Sequence, residues 1–264
     1  MPRIALGVEY DGSSFAGWQS QAHAQAIQPL VEAALATVAD HPIEVTAAGR
    51  TDAGVHAAMQ VLHFDTAAVR SERGWVLGAT SNLPSQICAL WAREVPEAFH
   101  ARYSTLARTY RYVILNRVSR PALAAERVCW VRDQLDEERM HAGAQYLIGE
   151  HDFTSFRAAE CQARTPTRNL HEISIERSGP TLALTVRANA FLHHMVRNIA
   201  GVLIAVGTGE RPPEWVAAVL AARDRTKGGV TAPPGGLYLC GVRYAEAFAL
   251  PSEAVACPLE ADRV

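Results

Sequence analysis

The chain has 264 residues, with 25 Lys+Arg against 27 Asp+Glu, a formal charge of −2 and a pI near 6.6. Hydrophobic residues make up 49% and charged residues 20%, which excludes a mostly disordered chain, a collagen-like repeat and a coiled-coil rod. At about 150 residues per domain, the length suits one large domain or two small ones with a core of useful size.

Near-neutral charge argues against a protein that coats nucleic acid everywhere, but it leaves room for a local basic groove. The basic residues are 24 arginines and one lysine, Lys227. A high-GC genome explains that bias, and arginine's planar fork also suits phosphate and base recognition. Cys88, Cys129, Cys161, Cys240 and Cys257 are odd in number, widely spaced and without a CxxC pair. Reduced, mostly buried thiols fit this pattern better than a disulfide framework or a zinc site. Met1-Pro2-Arg3 is not followed by the apolar run of a signal peptide. The longest apolar run, Ile199 to Gly207, falls far short of the ~20 residues that span a bilayer. The expectation is a soluble cytoplasmic protein with no membrane contact.

Ile4, Leu6, Val8 and Tyr10 alternate with Arg3, Ala5, Gly7 and Glu9, which predicts a strand with one buried face. Ile27, Leu30, Val31, Ala34, Leu35 and Val38 repeat at helical spacing, with Pro29 tolerated in the first turn. Residues 43–48 and 58–64 read as strands around the loop Gly49 to Gly54. A short helix near 71–80 and a strand near 86–95 complete a β-α-β-β-α-β series.

The second half repeats the rhythm with embellishments. Strands are expected near 104–116 and 127–132, then a helix capped by Asp136 with Met140, Ala144, Leu147 and Ile148 inward. Strands near 168–177 and 181–188 follow, then a helix over 191–207 with Leu192, Val196, Ile199, Leu203 and Val206 on one face. A short helix after Pro212-Pro213 and a strand from Leu237 to Tyr244 close the series, and the tail after Ala245 has no clear periodicity. The fold class is therefore α+β, as two tandem, related α/β sandwiches with antiparallel sheets and helices on one face. The expected division is 1–102 and 103–264.

Several signatures are missing: GxxxxGK[ST], GxGxxG and HExxH, while Gly12-Ser13-Ser14-Phe15-Ala16 misses the GxSxG elbow at its last position. His193 and His194, adjacent on a helix, would point about 100° apart, which suits a shared metal poorly. No metal is expected.

The segment Ala48 to His56 is more informative. Two glycines bracket Arg50-Thr51-Asp52 between two strands, so the backbone can bend sharply or approach a ligand. A neighbouring guanidinium favours an ionised Asp52, which could serve as nucleophile or base. An Asx-turn beside a surface arginine is the plainer reading of the triplet alone.

From Ala98 through Ala125 there is no acid, while Arg102, Arg108, Arg111, Arg117 and Arg120 interleave with Tyr103, Tyr110 and Tyr112. Arginines with aromatic faces suit phosphates and unstacked bases, and a core tyrosine stripe with a solvated arginine face fits equally well. A further acid-free stretch, Arg177 through Gly209, holds Arg187, His193, His194 and Arg197. Arg197, on a helix that otherwise reads as buried, needs an anionic partner or a route to solvent.

Tyr10-Asp11-Gly12-Ser13, Gly17-Trp18-Gln19 and Gly49-Arg50-Thr51-Asp52-Ala53-Gly54-Val55-His56 come in that order, followed by Phe99-His100-Ala101-Arg102 and Arg108-Thr109-Tyr110-Arg111-Tyr112. His151-Asp152-Phe153-Thr154-Ser155-Phe156, Phe191 to Arg197, and Ala232-Pro233-Pro234 through Gly236-Leu237-Tyr238-Leu239 complete the set. Together they resemble the tRNA pseudouridine synthase A family over about residues 3–244. The resemblance implies isomerisation of uridine to pseudouridine at positions 38–40 of the tRNA anticodon arm. It also implies a homodimer, a basic cleft between the halves of each subunit, and no cofactor.

By the same resemblance Asp52 takes the place of the catalytic nucleophile, flanked by Arg50 and Arg197. Tyr110 would stack on the target base and Leu237 would wall the uracil pocket. Arg102, Arg108 and Arg111 are candidates for tRNA backbone contacts. Two other readings stay open: a non-catalytic RNA-binding or RNA-folding protein using the same basic residues, and a small-molecule hydrolase using Asp52 and His56.

Overall fold

The computed structural model describes residues 1–21 and 23–251. In chain order these form β1 (Arg3–Tyr10), α1 (Ile27–Ala39), β2 (Thr46–Ala47), β3 (His56–Asp65), α2 (Glu72–Asn82) and β4 (Ile87–Val95). They continue with β5 (Ala107–Asn116), β6 (Cys129–Val131), α3 (Glu137–Gln145), β7 (Gly149–Asp152), β8 (Thr167–Ser178) and β9 (Thr181–Ala188). Last come α4 (Met195–Gly207), α5 (Trp215–Ala222) and β10 (Leu237–Arg243). The fold is α+β with mostly antiparallel pairing.

Contacts divide the chain into two compact units, Met1–Arg108 with Tyr238 onward, and Thr109–Leu237. The sequence division left all of 103–264 in the second half. Residues 103–108 and most of β10 fall in the first unit instead, and Tyr238 and Leu239 of β10 pair in parallel with His56 and Ala57 of β3. Parallel pairing between distant segments leaves no turn signal in the sequence.

In the first unit the sheet order is β4-β1-β3-β10, with β2 beside β3. β1 was expected to bury one face, yet Ile4 through Val8 are all buried. The small residues explain this: the Trp91 indole of β4 covers Gly7 so closely that a Cβ there would lie 2.3 Å from its Nε1. Strand geometry over 43–48 shrinks to Thr46–Ala47, because the Val45 N–H donates to the Glu32 carboxylate (3.1 Å) instead of a ladder. Ser71 caps α2 by accepting from the Gly74 N–H at 3.0 Å. α1 meets α2 where Gly78 approaches Val38, and the Phe64 and Trp75 rings pack edge-on at 5.1 Å. Beyond Ala245, which read as aperiodic, Glu246–Phe248 forms a 3-10 turn and Phe248 packs on Phe99 at 5.1 Å. From residue 252 the tail, with Cys257, lies outside the described residues.

In the second unit the order is β5-β9-β8-β7, with β6 parallel to β5. The β8–β9 hairpin turns at Gly179, whose φ is +55°. Asp136 caps α3 through the Arg139 N–H at 3.0 Å, as expected, but Ile148 is 41% exposed rather than inward. β7 was not anticipated: Gly-Glu-His-Asp has no apolar alternation, and the strand exists only because it pairs with β8. Met140 lies against Gly207, where a Cβ would come within 2.6 Å of its sulfur, so α3 and α4 pack closely. α4 begins at Met195 rather than 191, because His194 takes a left-handed conformation (φ +61°) and breaks the helix there. Among the described residues Cys88, Cys129, Cys161 and Cys240 form no disulfide, and no described helix is long and apolar enough to cross a membrane.

Candidate active site

The first unit builds a fixed loop around Asp52. Between β2 and β3 the chain is tied down at several points on either side of Asp52. The Arg108 Nε donates to the Ala48 carbonyl (3.1 Å), and the buried Gln60 amide donates to the Gly49 carbonyl (2.6 Å). Thr51, itself buried, shares a hydrogen bond with the Tyr10 hydroxyl (2.8 Å), and its carbonyl accepts from the Trp18 N–H (3.0 Å). The Asp52 carbonyl accepts from the Val55 N–H (3.1 Å), closing the turn. Asp52 is therefore half-buried on a loop pinned before and after it, while Arg50 is exposed.

Two glycines make this closeness possible. A Cβ on Gly12 would sit 1.9 Å from the Val55 carbonyl oxygen. Gly17, at φ +94°, would place one 2.6 Å from that of Thr51. The β1–α1 segment, with Gly12 and Gly17, thus lies directly on the Asp52 loop.

His56 has a different role from the one the hydrolase reading needs. It is buried, its ring stacks on Tyr238 (4.6 Å, 20°), and its Nδ1 lies 3.0 Å from the Gly12 nitrogen and 3.1 Å from an Asp11 carboxylate oxygen. That geometry braces the β1 turn and β10. The Ala48–His56 motif contains His56, but no local pattern signals its stacking on Tyr238.

Within the second unit Tyr110 is 7% exposed, and the Phe191 ring meets it edge-on at 5.0 Å and 80°. An edge contact fixes the ring plane without covering both faces. Tyr112, on the same strand face, is fully buried; its hydroxyl donates to the Pro233 carbonyl (2.8 Å), and burial raises its pKa well above the ordinary tyrosine value. The Arg197 Nε donates to the Ala232 carbonyl (2.9 Å), and the Ala232 N–H returns to the Arg197 carbonyl (3.1 Å). Leu237 is buried and follows a turn in which a Cβ on Gly236 would meet the Val113 carbonyl oxygen at 2.7 Å.

The three arginines proposed for phosphate contacts separate by environment. Arg102 is exposed, with its guanidinium 5.8 Å from the Tyr103 ring centre. Arg108 holds the Ala48 carbonyl, and Arg111 donates from Nε to Thr185 Oγ1 at 3.1 Å, so both are engaged within their units. The expectation that His193 and His194 diverge fails. His194 precedes the helix in a left-handed conformation, and the two rings lie 4.1 Å apart.

The family model described as tRNA pseudouridine synthase matches residues 7–104 and 144–245. The chain is 59% identical to the tRNA pseudouridine synthase A of Methylococcus capsulatus, across 98% of this chain and 96% of that one. It is 58% identical to that of Coxiella burnetii (95% and 96%) and 54% identical to that of Aeromonas salmonicida (94% and 93%). Among solved structures it is similar to one titled "Crystal Structure of a Cbf5-Nop10-Gar1 Complex", with a TM-score of 0.37 and 11% identity over 89% of this chain and 48% of that one. The loop that carries Asp52, the segments packed on it, and the motifs around Tyr110 and Arg197 all fall in or between the matched stretches, and with such identity over nearly its whole length the chain belongs to the tRNA pseudouridine synthase family.

Proposed function

We propose that the protein isomerises uridine to pseudouridine in tRNA, at positions 38–40 of the anticodon arm, with Asp52 as the nucleophile or base. Family membership supports the reaction. The observation that carries the residue assignment is the half-buried Asp52 carboxylate on a loop held from both sides. Such a group is pre-positioned, and fixing a reactant's geometry supplies a large share of many rate enhancements.

The reaction breaks the N1–C1′ bond, forms a C5–C1′ bond, moves the C5 proton to solvent and returns one to N1. Atoms are conserved and nothing is oxidised, so the chemistry requires a nucleophile or base and a place to hold free uracil, not a redox cofactor. A uridine in a stacked arm must first be extruded, at a cost of a few kcal/mol. Tyr110 would offer its ring to the extruded base, Leu237 would wall it, and Arg50 and Arg197 would supply positive charge beside the reacting carboxylate. Arg102 would hold phosphate, as would Arg108 and Arg111 to the extent that their existing bonds allow.

The deciding experiment measures tritium release from tRNA carrying 5-tritiated uridine. Asp52→Ala should abolish release and keep tRNA affinity. Full activity in Asp52→Ala would remove Asp52 from the reaction. A wild type that binds tRNA and releases no tritium would establish the RNA-binding reading instead. The enzyme is further proposed to act in the cytoplasm and as a homodimer; light scattering at micromolar concentration tests the dimer, and cell fractionation tests the location.

A further inference from the structure

Residues 229–232 form a strap that runs along α4 past the turn holding Arg197. The Ala232 backbone exchanges two hydrogen bonds with Arg197, one to its carbonyl and one from its Nε. One turn on, Gly201 lets the Val230 carbonyl approach so closely that a Cβ would sit 1.8 Å from that oxygen. Positions 197 and 201 share a helix face, so the strap follows that face.

Apolar burial does not hold this strap. Val230 is 85% exposed, and of the four residues only Ala232 is buried. The polar contacts centre on Asn198, which is 1% exposed on α4. Its Nδ2 donates to the Phe156 carbonyl (2.8 Å), while its Oδ1 accepts from the Thr231 hydroxyl (2.7 Å) and the Arg225 guanidinium (3.0 Å). Arg225 also donates to the Gly229 carbonyl (3.0 Å) and to Thr231 Oγ1 (2.9 Å). Ser155 joins the same region by accepting from the Asp224 N–H (2.9 Å).

We infer that Asn198, Arg225 and Thr231 are positioning residues that set the guanidinium plane of Arg197. The guanidinium is planar, so fixing Nε on the Ala232 carbonyl determines where its two outer nitrogens point. The place of that carbonyl is set by Thr231, one residue away. Loss of the Thr231 anchor frees the strap, turns the fork, and lowers the chemical step without touching substrate. The inference rests on the role proposed above for Arg197.

The test uses the full-length protein and single-turnover tritium release. Thr231→Val should lower the rate about tenfold, in line with the penalty for slight misplacement of a catalytic group. Apparent tRNA affinity should stay within about twofold, and Thr231→Ser, which keeps the hydroxyl, should restore the rate. Arg225→Gln should behave like Thr231→Val. In an Arg197→Gln background, Thr231→Val should have no further effect, because the group it positions is gone.

An unchanged rate in Thr231→Val and Arg225→Gln, alongside a slow Arg197→Gln, overturns the positioning inference alone. So does a Thr231→Val effect that persists in full in the Arg197→Gln background. A normal rate in Arg197→Gln removes the reading on which the inference rests. Thermal unfolding of each variant separates these outcomes from loss of fold, and Thr231→Ser supplies a folded comparison.

Discussion

The Tyr10 hydroxyl and Thr51 Oγ1 lie 2.8 Å apart in the buried interior, joining the end of β1 to the residue before Asp52. A buried polar group that loses its partner costs about 1–3 kcal/mol, whereas removing both partners together can be nearly neutral. Tyr10→Phe should therefore lower the free energy of unfolding by ~1–3 kcal/mol. The double variant Tyr10→Phe/Thr51→Val should cost less than the two single changes added together. Urea unfolding measures both, and full additivity would mean that the bond contributes nothing specific.

Glycine substitutions separate crowding from conformation. Gly12→Ala drives a methyl into the Val55 carbonyl oxygen, and backbone there cannot move without shifting the Asp52 loop. The expected cost is about 3 kcal/mol or more, with loss of tritium release. Gly179 has φ +55° and nothing within 4 Å of an added Cβ, so Gly179→Ala should cost only about 1–2 kcal/mol for the left-handed conformation. Its activity should be unaffected. Equal losses of stability in the two variants would show that the close approach at Gly12 relaxes freely.

Stability should depend on pH through His63. Burial, with the Arg3 charge as a second cause, holds its imidazole at about 4 against an ordinary 6.5, and His100 is lowered for the same reasons. Between about pH 4 and 6.5 the unfolded chain then binds more protons than the folded one, so stability is full above this window and is lost as pH falls through it. Asp65, held low chiefly by its hydrogen bonds from Arg3, titrates below this window. In His63→Gln the amide oxygen can still accept the Ala101 N–H that now donates to Nδ1, with one titration removed. Unfolding free energies from pH 4.5 to 7.5 should give a shallower slope for His63→Gln than for the wild type.

Salt dependence tests the proposed phosphate role of Arg102. Each phosphate neutralised contributes roughly 0.7–0.9 to the slope of log K against log salt. Arg102→Ala should reduce that slope by about one and weaken tRNA binding at low salt. Arg187, whose guanidinium meets the Glu172 carboxylate at 3.0 Å, serves as the contrast, and Arg187→Ala should leave the slope alone. Equal slopes for wild type and Arg102→Ala would remove Arg102 from the RNA surface.

Most local structure was legible because it is written in short periods. The alternation in β8 and β9, the helical spacing of α1 and α4, and the Asp136 cap of α3 each need only nearby residues. The Asp52 loop was legible as a motif, but not as a geometry. Asn198 and Arg225 were missed altogether, although an asparagine amid an apolar helical face is a signal, since buried amides need partners.

What the sequence determined by itself was therefore the element order, the α+β class and the motif set that places the chain in its family. The tertiary structure alone decided that Tyr238 of β10 pairs with His56 of β3, that β7 exists as an edge strand, and that His194 breaks the helix before Arg197. It also decided which arginines stay exposed. These outcomes depend on which distant groups meet, and hydrogen bonds and close packing between distant segments leave no period in the chain. The −2 net charge shows the same division: it follows from counting residues, while the exposure of Arg102 and the engagement of Arg108 and Arg197 follow only from folding.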